Sequence, residues 1–173
     1  MDKPLLEAVL IIGPYGSGKS ALAAEMSYLL GLRRAPHALL DLDYLGWAGT
    51  GDGGRDADLA MTLPNLTAVT ANYLAAGIRW YILAWYIQDS SEVKAVQRAL
   101  GFPMRVARLD VPLDVIGQRL GTDPTAERQD NLREAARQIE SGGGVGTEDI
   151  LLPGDRPVRE LAEELLDNLG WLR

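Results

Sequence analysis

Residues 13–20 read Gly-Pro-Tyr-Gly-Ser-Gly-Lys-Ser, and this spacing leaves the chain few folds to choose from. A G-x-x-x-x-G-K-S run wraps its backbone N–H groups around a phosphate, and its expected setting is the turn between a buried strand and a helix. Both flanks are present. Leu5, Leu6, Ala8, Val9, Leu10, Ile11 and Ile12 form a nearly continuous apolar run, as in a strand covered on both faces of a parallel sheet. Ala21, Leu22, Met26, Leu29 and Leu30 then recur at helical spacing, and Gly31 offers a C-terminal stop. Within the loop, Gly13, Gly16 and Gly18 let the backbone approach an anion, with Tyr15 and Ser17 completing the cradle. Lys19 reaches the outer phosphates as a point charge, Ser20 offers a hydroxyl to Mg²⁺, and the helix that starts here turns its positive end toward the anion. ATP and Mg²⁺ are the expected ligands.

Downstream, strand-like and helical stretches alternate. A second strand is expected over 38–42, followed by a glycine-rich loop over 48–56 suited to closing over a substrate. A helix over 63–76 and a third strand over 79–87 come next, with Trp80 and Trp85 read as core. Asp89 and Glu92 look like a capping pair that opens a helix with Val93, Val96 and Leu100 inward. A fourth strand spans 104–109, and Pro112 opens a short helix ending near Gly121. Asp123-Pro124 starts another, with Leu132, Ala135, Ala136 and Ile139 as its buried stripe. Ser-Gly-Gly-Gly-Val-Gly at 141–146 reads as a flexible connection to a brief fifth strand over 149–152. The last helix starts at Pro157, faces inward through Val158, Leu161, Ala162, Leu165, Leu166 and Leu169, and stops at Gly170. This alternation predicts one α/β domain over 1–173. It is a three-layer sandwich of a five-stranded parallel sheet with helices on both faces, binding ligands beyond the strands' carboxyl ends.

Charge and composition narrow the partners. With 24 acidic against 17 basic residues the net charge is −7, which argues against a general grip on nucleic acid or an anionic membrane. Cysteine is absent, so disulfides, thiolate metal sites and cysteine nucleophiles are excluded; the single His37 has no partner histidine and reads as a surface residue. No apolar stretch reaches membrane-spanning length and the N-terminus lacks a signal-peptide pattern, so the expected location is the cytoplasm and the expected state a monomer or homodimer.

A second constellation, Asp41 to Trp47, ends strand two. Side chains alternate along a strand, which predicts Asp41 and Asp43 on one face near the phosphate loop, Asp41 nearer Ser20 and a metal, Asp43 further out. A carboxylate there can orient a hydroxyl and take its proton, or hold metal-bound water; the alternative is a turn that caps the next helix. Tyr44 and Trp47 supply an aromatic pair beside these acids. Asn65, Val69 and Asn72 fall on one helical face, where the two amides could read acceptor hydroxyls, or could serve as a cap neighbour and a solvent-facing residue.

In layout and in GPYGSGKS the chain resembles the P-loop small-molecule kinases, the group that includes adenylylsulfate, shikimate and gluconate kinases and chloramphenicol phosphotransferases. It is similar also to actinobacterial ATP-binding kinases with a DLDxLxW segment and an N-L-x-A-V-x-x-N-Y helix, here DLDYLGW and NLTAVTANY. The resemblance implies a P-loop NTPase fold with a short lid after strand four and phosphoryl transfer from ATP to a hydroxyl of a small molecule. It implies an acceptor-contacting role for Asp43. Adenylylsulfate kinases look like Asp-x-Asp followed two residues later by an arginine; Tyr44, Leu45, Gly46 and Trp47 stand here instead, which favours a neutral or aromatic-stacked acceptor. Lid arginines that neutralise the transferred phosphoryl group are implied at Arg119 and Arg128, and Arg156 falls in the loop after strand five, which holds the adenine ring in this group. The stretch between Arg119 and Arg128 holds no other cation. That poverty keeps a nucleotide-binding accessory protein, or an ATPase with Asp89 organising its metal, as the alternative. A GTPase would carry an Asn-Lys-x-Asp base reader, and none is present.

Overall fold

In the computed structural model the described residues are 5–48, 53–120 and 126–172, with side chains from 130 onward in the last stretch. The strands are β1 (Glu7–Ile12), β2 (His37–Asp41), β3 (Trp80–Ala84), β4 (Met104–Asp110) and β5 (Ile150–Pro153). The helices are α1 (Lys19–Leu32), α2 (Leu42–Gly46), α3 (Arg55–Ala75), α4 (Ser90–Leu100), α5 (Leu113–Leu120), α6 (Ala126–Glu140) and α7 (Val158–Leu169). All strands pair in parallel in the order β2-β3-β1-β4-β5. The apolar run after Leu5 is therefore the central strand. Its alternate residues feed two cores: Val9 and Ile11 pack with α1, α7, Ile116 of α5 and Ala135 of α6, and Ala8, Leu10 and Ile12 pack with Leu42 of α2, Leu66 of α3 and Val96 of α4. This is the expected three-layer sandwich. Residues 121–125, where a lid after β4 is expected, lie outside the described residues. Among the described residues no helix is long and apolar enough to cross a membrane.

Several local expectations change. α1 runs through Gly31 to Leu32 with Arg33 as its C-cap, and the left-handed backbone falls at Arg34, φ 55°, so Gly31 is the penultimate helical residue and not the stop. His37 is half-buried at the start of β2: its Nδ1 lies 2.7 Å from the Ala35 carbonyl, so Nδ1 carries the proton and Nε2 accepts from Ser27 Oγ at 2.8 Å. α3 begins at Arg55 rather than 63 and carries Pro64 in its interior. β3 stops at Ala84, leaving Trp85 to Gln88 to line the sheet's carboxyl end. On α6 only Ala135 of the expected stripe is buried; Leu132 and Ile139 are exposed, since this helix packs on α5 rather than on the sheet. Val158 is likewise exposed, whereas the other inward positions of α7 are buried as expected and Gly170 caps it with φ 74°.

The run 141–146 is a packed turn, not a flexible connection. Gly144 N–H donates to the Gln88 carbonyl at 3.2 Å, and a Cβ on Gly144 (φ +74°) would stand 2.8 Å from Ile12 Cδ1, which is buried and cannot swing clear. Gly144→Ala is expected to cost about 1–2 kcal/mol for the left-handed backbone plus about 1–3 kcal/mol of overpacking. Gly142→Ala, also at positive φ but facing open space, should show only the first. Thermal denaturation of the two variants separates the terms, and equal losses would contradict this packing.

Candidate active site

The carboxyl ends of β1, β2 and β3 open into a cleft of about 770 Å³ whose walls include Lys19, Ser20, Asp41, Asp43, Trp47 and Arg55. The phosphate loop forms its floor. Gly13, Gly16 and Gly18 have φ of 152°, 73° and 99°, backbone that L side chains rarely adopt, and Gly18 hands the chain directly to α1. Ser17 is buried beside Gly13, and its hydroxyl lacks a hydrogen-bond partner among the described residues. Lys19 is buried and its Nζ donates to the Pro14 carbonyl at 3.0 Å. Desolvation lowers its pKa to about 8, against the pull of Asp43 and Asp41, which raise it. A buried cation at the mouth of a positive helix end is a strong anion seat.

Asp41 and Asp43 meet, but not by strand alternation. β2 ends at Asp41, and α2 starts at once, with Asp41 as its N-cap accepting the Asp43 N–H at 3.2 Å. The other oxygen of Asp41 accepts from Ser20 Oγ at 2.6 Å. The capping alternative and the site role thus coincide in one carboxylate. Ser20 and Asp41 could hold a divalent cation between them, since Mg²⁺ is bound through few protein oxygens with phosphate and water filling its shell. Asp43 sits in the first turn of α2. Burial raises its pKa, the like charge of Asp41 adds to this, and Lys19, a hydrogen bond from Trp85 and Arg55 oppose it. Tyr44 and Trp47 stand at the rim, 69% and 80% exposed, with ring centroids 5.7 Å apart.

The amides separate. Asn65 Nδ2 donates to the Leu45 carbonyl at 2.7 Å and so anchors the end of α2, while Asn72 lies exposed toward the far end of α3 and does not line the cleft. Seven residues of helix carry it roughly 10 Å along the axis. Arg119, expected to face the transferred phosphoryl group, instead donates to the Ser17 carbonyl at 2.9 Å and to the Gly154 carbonyl, clamping the phosphate loop to the turn after β5. With Arg156 it lines a separate cavity of about 220 Å³ behind the loop. Arg156 is paired there with Glu164 at 2.5 Å. Arg128 falls within α6 and its side chain lies outside the described residues. Asp89 caps α4 through the N–H groups of Ser91 and Glu92, so it acts as a cap and not at the cleft.

Four contributors escaped the sequence. Arg55 borders the cleft and an adjoining cavity of about 410 Å³ that also holds Tyr15, Lys19, Asp43 and Gln138. Its partner Glu92 is buried and accepts the Gln88 N–H at 2.8 Å, one residue before the N-cap Asp89, whose N–H a regular capping box would use. Trp85, read as core, is buried yet forms a wall of the cleft, whereas Trp80 stacks on Trp171 as core. Gln138 of α6 accepts the Tyr15 N–H at 2.7 Å. The one positive charge in the glycine-rich 51–55 run was the available hint for Arg55; nothing local marks Gln138.

No family model and no curated protein matches this sequence. Solved structures do. A sugar kinase from Janibacter sp. is 19% identical with a TM-score of 0.74, the match covering 96% of this chain and 95% of that one. The Mycobacterium tuberculosis APS kinase in complex with AMPPNP and APS is 24% identical with a TM-score of 0.69 over 96% of this chain and 99% of that one. A gluconokinase from Sinorhizobium meliloti is 16% identical with a TM-score of 0.66 over 97% and 94%. The chain has the fold of the P-loop small-molecule kinases.

Proposed function

We propose that this chain is a small-molecule kinase that moves the terminal phosphoryl group of ATP to a hydroxyl of an acceptor bound between α2 and α3. The observation that carries the reading is the convergence, in one cleft, of a phosphate loop with its lysine and of a carboxylate, Asp43, made more basic than usual by its surroundings. A sugar kinase and a gluconokinase share the fold.

In the reaction, the acceptor oxygen forms a bond to the terminal phosphorus while the bond from that phosphorus to the bridging oxygen breaks, releasing ADP. Lys19 and the loop N–H groups hold the outer phosphates, and Asp43 orients the hydroxyl and takes its proton as the new bond forms. Mg²⁺, bound near Ser20 and Asp41, would offset phosphate charge. Arg119 and Arg156, flanking the cavity behind the loop, would border the nucleoside. The exposed Tyr44–Trp47 pair offers a stacking edge for a ring-shaped acceptor.

The test is a panel of hydroxyl compounds: nucleosides, sugars, aminocyclitols and shikimate-like acids. ADP release that rises with one acceptor supports the reading. Release equal in all conditions would point to an ATPase, and tight ATP binding with no release to an accessory module.

The lowered pKa of Lys19 gives a pH signature. Below about 8 the side chain is an ammonium ion and matches the phosphates; as pH climbs through that value the cation is lost. Affinity for metal-free ATP should therefore fall above pH 8, with proton uptake on binding. Calorimetry between pH 7 and 9.5 in buffers of different ionisation heat would show both; flat affinity across this window would contradict the assignment.

A further inference from the structure

Among the described cations at the cleft, Arg55 is held by several groups at once. Its Nε donates to Glu92 Oε1 at 2.7 Å and its Nη2 to Glu92 Oε2 at 2.6 Å and to the Tyr86 carbonyl at 2.6 Å. The guanidinium carbon lies 4.3 Å from the centre of the Trp85 ring. These contacts fix the plane of the group and use the hydrogens of Nε and Nη2, so that those of Nη1 have no protein acceptor among the described residues. Arg55 borders both cavities that contain Lys19 and Asp43. Of the other arginines described near the cleft, Arg137 is 74% exposed and tied to Glu134, and Arg119 is committed behind the loop.

We propose that Arg55 Nη1 binds an oxygen of the terminal phosphoryl group, supplying a cationic contact from the start of α3. The proposal rests on the phosphate loop being the ATP site. A guanidinium held rigid by Glu92 and Trp85 is already in place when charge develops on the transferred group, which is where such a donor has most effect. Arg55 thereby joins Lys19 in touching the outermost phosphate, while the inner phosphates depend on the loop alone.

That division of labour sets the experiment, which needs no acceptor. Affinities for Mg·ATP and Mg·ADP are measured by calorimetry for the wild-type chain and for Arg55→Met combined with Glu92→Gln. The double change removes the ion pair as a unit and leaves an amide oxygen to accept the Gln88 N–H. ATP affinity should fall about tenfold to a hundredfold, the loss typical of a charge-assisted hydrogen bond, with ADP affinity within twofold of wild type. Should the double variant fail to fold in a thermal melt, Arg55→Lys keeps a cation for Glu92 but loses the Nη1 donors, and the same selective loss is expected. Equal losses for both nucleotides, or none, would overturn the inference and leave the phosphate-loop reading standing. A wild-type chain with no affinity for ATP would strike both.

Discussion

Asp43→Asn should bind Mg·ATP as the unaltered chain does and yet transfer the phosphoryl group roughly 10² times more slowly or worse, the usual contribution of a positioned general base. Among the described residues no hydrogen bond or ion pair joins Asp43 to the phosphate loop, so at pH 7, where Lys19 is an ammonium ion even without the Asp43 charge that raises its pKa, an amide leaves the anion seat in place and removes the group that takes the hydroxyl's proton. Asp41→Asn supplies the contrast. An amide at 41 can still cap α2 by accepting the Asp43 N–H, but it loses the charge that faces Ser20 Oγ at 2.6 Å. The half-saturating magnesium concentration should rise, with turnover recovered at high metal. Metal-dependent ATP affinity and acceptor-dependent turnover, measured for both variants, separate these roles; full turnover in Asp43→Asn would return Asp43 to a mere member of a helix cap.

Lys19→Ala carries the second large effect. The ammonium is buried and its one recorded hydrogen bond, to the Pro14 carbonyl, stays within the loop, so its removal relieves a desolvated charge and should leave the thermal midpoint unchanged or higher. The outer phosphates, however, lose their point charge at the mouth of α1. ATP affinity should drop by about 10² or more, a charge-assisted contact having about twice the strength of a neutral one. Titration calorimetry on a variant shown to be folded is the measurement, and undiminished affinity would remove this loop as the triphosphate site.

What the sequence disclosed follows the range of the interactions involved. The phosphate loop, β1 and α1 were legible because glycines at fixed spacing and an apolar run are local signals that tertiary packing cannot overwrite. Asp41 and Asp43 stand together, as strand alternation predicts, but a helix N-cap joins them, since Asp41 ends its strand and immediately accepts the Asp43 N–H. Short helices such as α2 give no periodicity to read. The start of α3 was missed because Pro64, at home in a first turn, sits in the interior, and the glycines before Arg55 mimic a loop. Arg55, Glu92 and Trp85 form one unit across three segments separated by 37 residues or fewer, and a buried arginine–glutamate pair leaves no trace in spacing. The same blindness made 141–146 look flexible. Gly143 and Gly144 are demanded by Tyr86 and Ile12, which approach where their side chains would stand.

The central claim is that the terminal phosphoryl group goes to an acceptor hydroxyl between α2 and α3 and not to water. ATP labelled in its terminal phosphate, incubated with the unaltered chain, magnesium and the acceptor that most stimulates ADP release, gives a direct answer by separation of the products. The label is predicted in an organic phosphate ester formed one for one with ADP, and absent from that ester with Asp43→Asn over the same interval. Label recovered only as inorganic phosphate, at a rate indifferent to every acceptor, would contradict the account.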